Sequence, residues 1–260
     1  MRRQDHDGGD PRRGLTVAEL LVVVAMLGIL ASLLLPTLAR TKERARRVGC
    51  VSNLRQLGIA LQMYAHDDRL QSLSGKTDSE DQNLNWLYSG CLENVKAFLC
   101  PSTRNYIRTN RSVCPFTGQE GLTDLMHLAA NRGPVPGSSY QGFGFLGVNV
   151  DTWERIPVLG GMKTINGIRK GLSNIQTYRH FHNAFGLKGV VPGPSRLWIM
   201  IDQTLPGIPY YPDSADNHGQ GGGNVAFCDA HVEWVPAGSY VQSYELSQDE
   251  NRIGVALTWP

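Results

Sequence analysis

From residue 15 to residue 35 the chain is apolar almost without interruption, and the one ionisable side chain in that run is Glu19. About 20 apolar residues are what an α-helix needs to cross the hydrocarbon core of a bilayer. An ionised carboxylate at that depth costs on the order of 3 kcal/mol unless it is paired or kept near the interface. Glu19 therefore needs either a partner or a place at the headgroups.

The residues around it carry more information. Arg12-Arg13 are followed by Gly14-Leu15-Thr16-Val17-Ala18-Glu19-Leu20-Leu21-Val22-Val23-Val24-Ala25, and this string resembles the cleavage and methylation segment of type IV prepilins and type II secretion pseudopilins. The resemblance implies that a membrane peptidase cuts between Gly14 and Leu15 and methylates the new amine. Glu19 then becomes the fifth residue of the mature chain, and Thr16 and Glu19 are the expected assembly residues. Leu15 departs from the usual Phe, which bears on methylation more than on cleavage. Pro36 falls where many pilins carry a helix-loosening proline.

A physical reason for these residue types can be given apart from the resemblance. A freshly cut helix begins with unsatisfied N–H groups, a positive dipole end and a charged amine, all of which favour a nearby anion. In a bundle, the Glu19 carboxylate of one subunit can meet the Leu15 amine of the next. Any other stagger leaves both charges unpaired in lipid. Three other readings compete: a secretory signal cut near Ala39, a twin-arginine export signal, and a plain single-span anchor in which Glu19 snorkels. Charge counting does not fix orientation, because Arg2, Arg3, Arg12 and Arg13 precede the span while Arg40, Lys42, Arg44, Arg46 and Arg47 follow it. The resemblance implies an inner-membrane, single-pass protein with its head outside the cytoplasm.

Beyond Pro36, which should kink or locally open the helix, Val51, Leu54, Leu57, Gly58, Leu61, Tyr64 and Ala65 recur at spacings of three and four and predict one apolar helical stripe. At 1.5 Å per residue, a helix from residue 15 to about 67 reaches roughly 80 Å. The basic residues in 40–47 form a collar, either solvated or facing lipid headgroups. Gly49-Cys50-Val51-Ser52-Asn53-Leu54-Arg55-Gln56-Leu57-Gly58 is similar to the stalk of a large bacterial group of pseudopilin-like proteins. That group also carries a Cys-Pro-Ser word, here Cys100-Pro101-Ser102, and a smaller word matched by Ser138-Ser139-Tyr140. Its late His-x9-Asp-Gly word is altered here, with ten residues between His218 and Asp229 and Ala230 in place of the glycine.

The expected architecture is α+β and pilin-like: a long N-terminal helix, as anchor and spine, on a C-terminal antiparallel sheet with long irregular loops. The expected divisions are a leader at 1–14, a transmembrane and assembly helix at 15–36, a helical stalk at 37–68 and a globular head at 69–260. Leu197-Trp198-Ile199-Met200-Ile201 and Asn224-Val225-Ala226-Phe227-Cys228 read as strands, and His231-Val232-Glu233-Trp234-Val235 alternates with period two. Asp229-Ala230 between the last two suggests a two-residue hairpin, strained by Ala, or else a different turn. The glycines at 219 and 221–223 suggest backbone passing close to another element.

The formal net charge is +2, and setting aside the nine basic and five acidic residues up to Arg47 leaves the rest near −2, so no nucleic-acid surface is implied. The expected partners are a prepilin peptidase, other pilin or pseudopilin subunits, an inner-membrane assembly platform and the lipid bilayer. Five cysteines allow at most two internal bridges, with Cys91–Cys100 or Cys100–Cys114 as short loop closures and buried free thiols as the alternative. His218, Asp229, His231 and Asp202 are metal-compatible, and Asp213 and Asp216 add carboxylates that would favour calcium, which some secretion pseudopilins bind in the head. The competing reading is that Asp229 caps a turn and the histidines are structural. His180-Phe181-His182 is a second pair, read as structural. No nucleophile elbow, phosphate loop or His-Glu-x-x-His is present, so a non-enzymatic subunit is expected. The two other functional classes are a non-polymerising anchored binding protein and an exported metal-dependent hydrolase.

Overall fold

The computed structural model describes residues 16–76, 82–115, 117–129, 132–147, 168–202, 212 and 216–250. Gly14, Leu15 and Asp213 lie outside the described residues. Helix α1 spans Val17–Asp67 and runs unbroken through Pro36. The chain divides into two compact units, Met1–Arg44 and Ala45–Pro260.

In the first unit, every residue from 16 to 42 is exposed, the large apolar side chains of Leu20, Leu27, Ile29 and Leu34 included. Apolar surface of this extent is not left to water by a stable soluble helix. Among the described residues, α1 is the one helix long and apolar enough to cross a membrane.

In the second unit, the remainder of α1 buries Cys50, Leu54, Leu57, Gly58, Ala60, Leu61 and Ala65. This is the stripe expected from the sequence, shifted slightly: Val51 and Tyr64 are half-buried at its margins, while Cys50 and Ala60 lie inside. The stripe packs on a four-stranded antiparallel sheet ordered β3 (Gln141–Gly142), β6 (Trp198–Ile201), β7 (Gly222–Phe227) and β8 (Val232–Pro236). Two small antiparallel pairs flank it: β1 (Arg111–Val113) with β2 (Glu120–Leu122), and β4 (Phe145–Leu146) with β5 (Ile168–Arg169).

Successive side chains of a strand face opposite ways, and β7 shows what each face meets. Ala226 and Cys228 join the α1 core with Leu54, Leu57 and Ile199. Val225 and Phe227 join a second core with Trp198, Tyr240 and Tyr244. The latter two come from α2 (Ala237–Gln248), a helix not expected from the sequence. The central strands are thus covered on both faces, which is why they read as continuous apolar runs. Edge strand β8 is only partly covered and alternates.

The β7–β8 connection differs from the two-residue turn. Ala230 N–H donates to Phe227 O at 2.9 Å and Phe227 N–H to His231 O at 3.0 Å, so the loop is Cys228-Asp229-Ala230 with Ala230 left-handed at φ 69°. This is a type I turn closed by a bulge residue, the position that favours glycine. An L residue there costs on the order of 1 kcal/mol. Ala230→Gly is accordingly expected to stabilise the protein by about 1 kcal/mol, read as a raised denaturation midpoint. An unchanged or lowered midpoint would mean that the Ala230 side chain contributes as much as its strain costs.

Candidate functional site

The N-terminal end of α1 is a reciprocal cap. Thr16 donates from its backbone N–H and from its hydroxyl to Glu19 Oε2, both at 2.8 Å, and Glu19 N–H reaches back to Thr16 Oγ1 at 3.3 Å. Thr-x-x-Glu is the capping-box pattern, and it holds the carboxylate at the positive end of the helix. The two expected assembly residues are therefore in contact within one chain.

In the head, four of the sequence words converge. Cys50 on α1, Cys100 just past the 3-10 turn Val95–Phe98, Asp202 at the end of β6 and His218 ahead of β7 form a buried cluster. The Cys50 thiol donates to Asp202 Oδ2 at 3.0 Å, and that oxygen lies 3.0 Å from His218 Nε2. The same ring nitrogen is 3.6 Å from Cys100 Sγ. The His218 and Asp202 side chains are 0% and 1% exposed, so the cluster is sealed.

Surrounding groups hold each member in place. Ser102 Oγ is 3.2 Å from His218 Nδ1, and Ser102 N–H donates to Cys100 Sγ at 3.4 Å. Tyr140 O–H donates to Cys50 Sγ at 3.3 Å. Asn224 donates to Asp202 from its backbone at 2.7 Å and its side chain at 2.6 Å. Asn53, one turn along α1 from Cys50, donates to Leu99 O at 2.8 Å, and Ser139 N–H donates to Phe98 O at 2.9 Å. The stalk word, Cys-Pro-Ser, Ser-Ser-Tyr and the late histidine are thus parts of one structure. Gly58 completes it from the far end of the stalk word, since a methyl there would sit 3.2 Å from Ala230 Cα.

The electrostatics follow from the contacts. Burial alone pushes the Cys100 thiol up, but hydrogen bonds from Cys50 and His218 outweigh it and bring the pKa down to about 6. Burial alone would lower His218, but its bonds to Asp202 and Cys100 and their negative charge raise it to about 10. Burial, with the same neighbours, drives Cys50 well above the thiol range. The shared contacts thus favour the charged forms of both Cys100 and His218, an arrangement stable only inside a matched charge set.

The expected metal residues separate into two places. Asp202 and His218 are together, whereas Asp229 and His231 pair with each other at 2.5 Å on the exposed hairpin. Among the described residues, neither belongs to a cluster of ligand atoms. Asp229 acts there as the turn residue, accepting from His231 N–H at 3.2 Å. Calcium does not suit the buried set, since two thiols and an imidazole are poor ligands for a hard cation. The bridges Cys91–Cys100 and Cys100–Cys114 are not formed: all five thiols are free, and Cys100 faces Cys50 and His218 instead.

His180 and His182 have a structural task. Both reach Asp249, the left-handed residue that ends α2, at 3.1 and 2.8 Å. Asp249 also accepts from Phe181 N–H at 2.6 Å, His182 N–H at 3.0 Å and the Tyr178 hydroxyl. Its carboxylate ties the 178–182 loop to the helix end, with His180 Nε2 also 2.9 Å from Glu245 O.

A family model described as a protein of unknown function (DUF1559) matches residues 39–88. The chain is similar to type II secretion system core protein G of Pectobacterium carotovorum subsp. carotovorum, 37% identical over 98 residues that cover 38% of this chain and 55% of the relative. The protein of the same name in Klebsiella pneumoniae is 47% identical over 57 residues, 22% of this chain and 41% of the relative. That of Pseudomonas aeruginosa is 29% identical over 107 residues, 35% of this chain and 75% of the relative. The chain spans about half the length of the first two curated relatives. No solved structure matches it. These similarities are to type II secretion system core protein G, each over less than two fifths of this chain.

Proposed function

We propose that the chain is a pseudopilin subunit: cut at Gly14 by a prepilin peptidase, methylated at Leu15, held in the inner membrane by residues 15–36 and assembled through that helix into a secretion-type filament. Its head lies outside the cytoplasm, and its role is structural rather than enzymatic. The observation that carries this reading is the exposed apolar face of α1 from Val17 to Leu38, with a single carboxylate held at its start by Thr16. A simple anchor needs the apolar residues but not the acid, whose cost in lipid is recovered against a cation or avoided at the headgroups. The similarity to core protein G supports the same reading.

Other subunits and an assembly platform are the implied partners. A photo-crosslinking residue placed at Leu27 or Leu34 in intact membranes tests this. The expected result is a ladder of multimers containing this chain or other pilin-like chains; adducts to lipid alone would favour a non-polymerising anchored binding protein.

A further inference from the structure

We propose that Cys50, Cys100, Asp202 and His218 form a closed zinc site that locks the stalk helix to the head. The four donors come from sequence-distant segments, and the ligand atoms of Cys50, Cys100 and His218 lie within 4.8 Å of one another. A tetrahedral zinc with sulfur, nitrogen and oxygen ligands has ligand–ligand edges of about 3.2–3.8 Å. Asp202 Oδ2 lies 3.0 Å from both Cys50 Sγ and His218 Nε2, and Nε2 lies 3.6 Å from Cys100 Sγ; Asp202 stands beside the three-atom cluster rather than in it, and becomes the fourth ligand by moving toward Cys100.

The arrangement argues against catalysis and for a ligand. In a nucleophilic triad the carboxylate orients the ring nitrogen opposite the one facing the nucleophile. Here Asp202 and Cys100 crowd the same nitrogen, Nε2, while Ser102 is at Nδ1. Three groups converging on one point, with the far ring nitrogen held by a hydroxyl, is how a metal-bound histidine is oriented. The supporting shell is complete as well: Asn224 fixes Asp202, while Tyr140 and the Ser102 N–H donate to the two sulfurs. Two sulfurs and an imidazole, with one carboxylate, make an all-protein set of the S, N and O donors that zinc takes. On binding, two protons leave for solvent, one from the Cys50 thiol and one from the Cys100–His218 pair, so that both sulfurs bind as thiolates and His218 as the neutral ring, with no redox step.

The test uses the full chain, solubilised from membranes and purified through a histidine-free tag, then equilibrated with zinc and desalted. The expected result is about one zinc per chain by mass spectrometry, and a cobalt derivative with thiolate charge-transfer absorption and intense tetrahedral bands. Cys100→Ser and His218→Ala are each expected to lower retained zinc by more than the roughly 10- to 100-fold that supporting-residue changes cause. His231→Ala and Cys91→Ser are expected to retain it. A wild-type chain without zinc, a cobalt derivative without thiolate bands, zinc kept by both ligand variants, or a Cys50–Cys100 disulfide in the native membrane protein would each overturn the proposal. The cobalt spectrum needs no variant, so misfolding of a variant does not shield the idea. None of these readouts depends on assembly, so this site and the pseudopilin reading stand or fall separately.

Discussion

Glu19→Ala is expected to remove the photo-crosslinked ladder while membrane insertion stays at least at the wild-type level. Within one chain, the substitution loses the capping box, about 1 kcal/mol. It also removes an ionised group whose burial in lipid costs on the order of 3 kcal/mol, so insertion does not suffer. Between chains, it leaves the neighbour's Leu15 amine without a counter-charge, and breaking one side of a buried pair costs about 3–5 kcal/mol, at least about a hundredfold in association. Glu19→Gln separates the two roles. Glutamine keeps the capping geometry with Thr16 but carries no charge. The account expects Gln to fail in assembly as Ala does. Normal ladders from Gln would reduce Glu19 to a helix cap.

Gly222→Ala is expected to destabilise the head by about 3 kcal/mol or more, roughly 10 °C in the midpoint of a domain this size. Gly222 opens β7 with φ +136°, a conformation L side chains rarely adopt. A methyl there would lie 2.2 Å from Val235 O and 2.9 Å from Pro236 Cα, both backbone atoms of the paired strand that cannot turn aside. Gly221→Ala is the control. Its nearest atom would be a Trp234 side-chain carbon at 3.7 Å, an ordinary contact, so little change is expected. A midpoint for Gly222→Ala within about two degrees of wild type would show that the strand pair can separate locally at small cost.

The glycine run illustrates what sequence can and cannot deliver. Close backbone approach is expected from Gly221-Gly222-Gly223, and Gly222 against β8 and Gly223, where a methyl would lie 3.0 Å from Asp202 Oδ1, realise it. The apolar helix, the stripe beyond Pro36 and strands β6 to β8 were legible too, because each is written in local periodicity. Helix α2 was not. Tyr240, Tyr244 and Ser247 have helical spacing, but Gly238, Ser239, Ser243 and Ser247 make the segment look like loop, and it is Trp198 and Phe143 packing on the tyrosines that stabilises it. The buried cluster was half legible. His218 and Asp202 were named, but grouped with Asp229 and His231, which are near in sequence, whereas their partners Cys50 and Cys100 are 152 and 118 positions away from them. Such convergence is a property of the packed fold: each word was visible alone, and nothing local said that they meet.

The most direct measurement is the N-terminal mass of the protein taken from native membranes. The account predicts a chain lacking its first fourteen residues and beginning at an N-methylated Leu15. A chain that keeps Met1 to Gly14, or one that begins near Ala39, would contradict it.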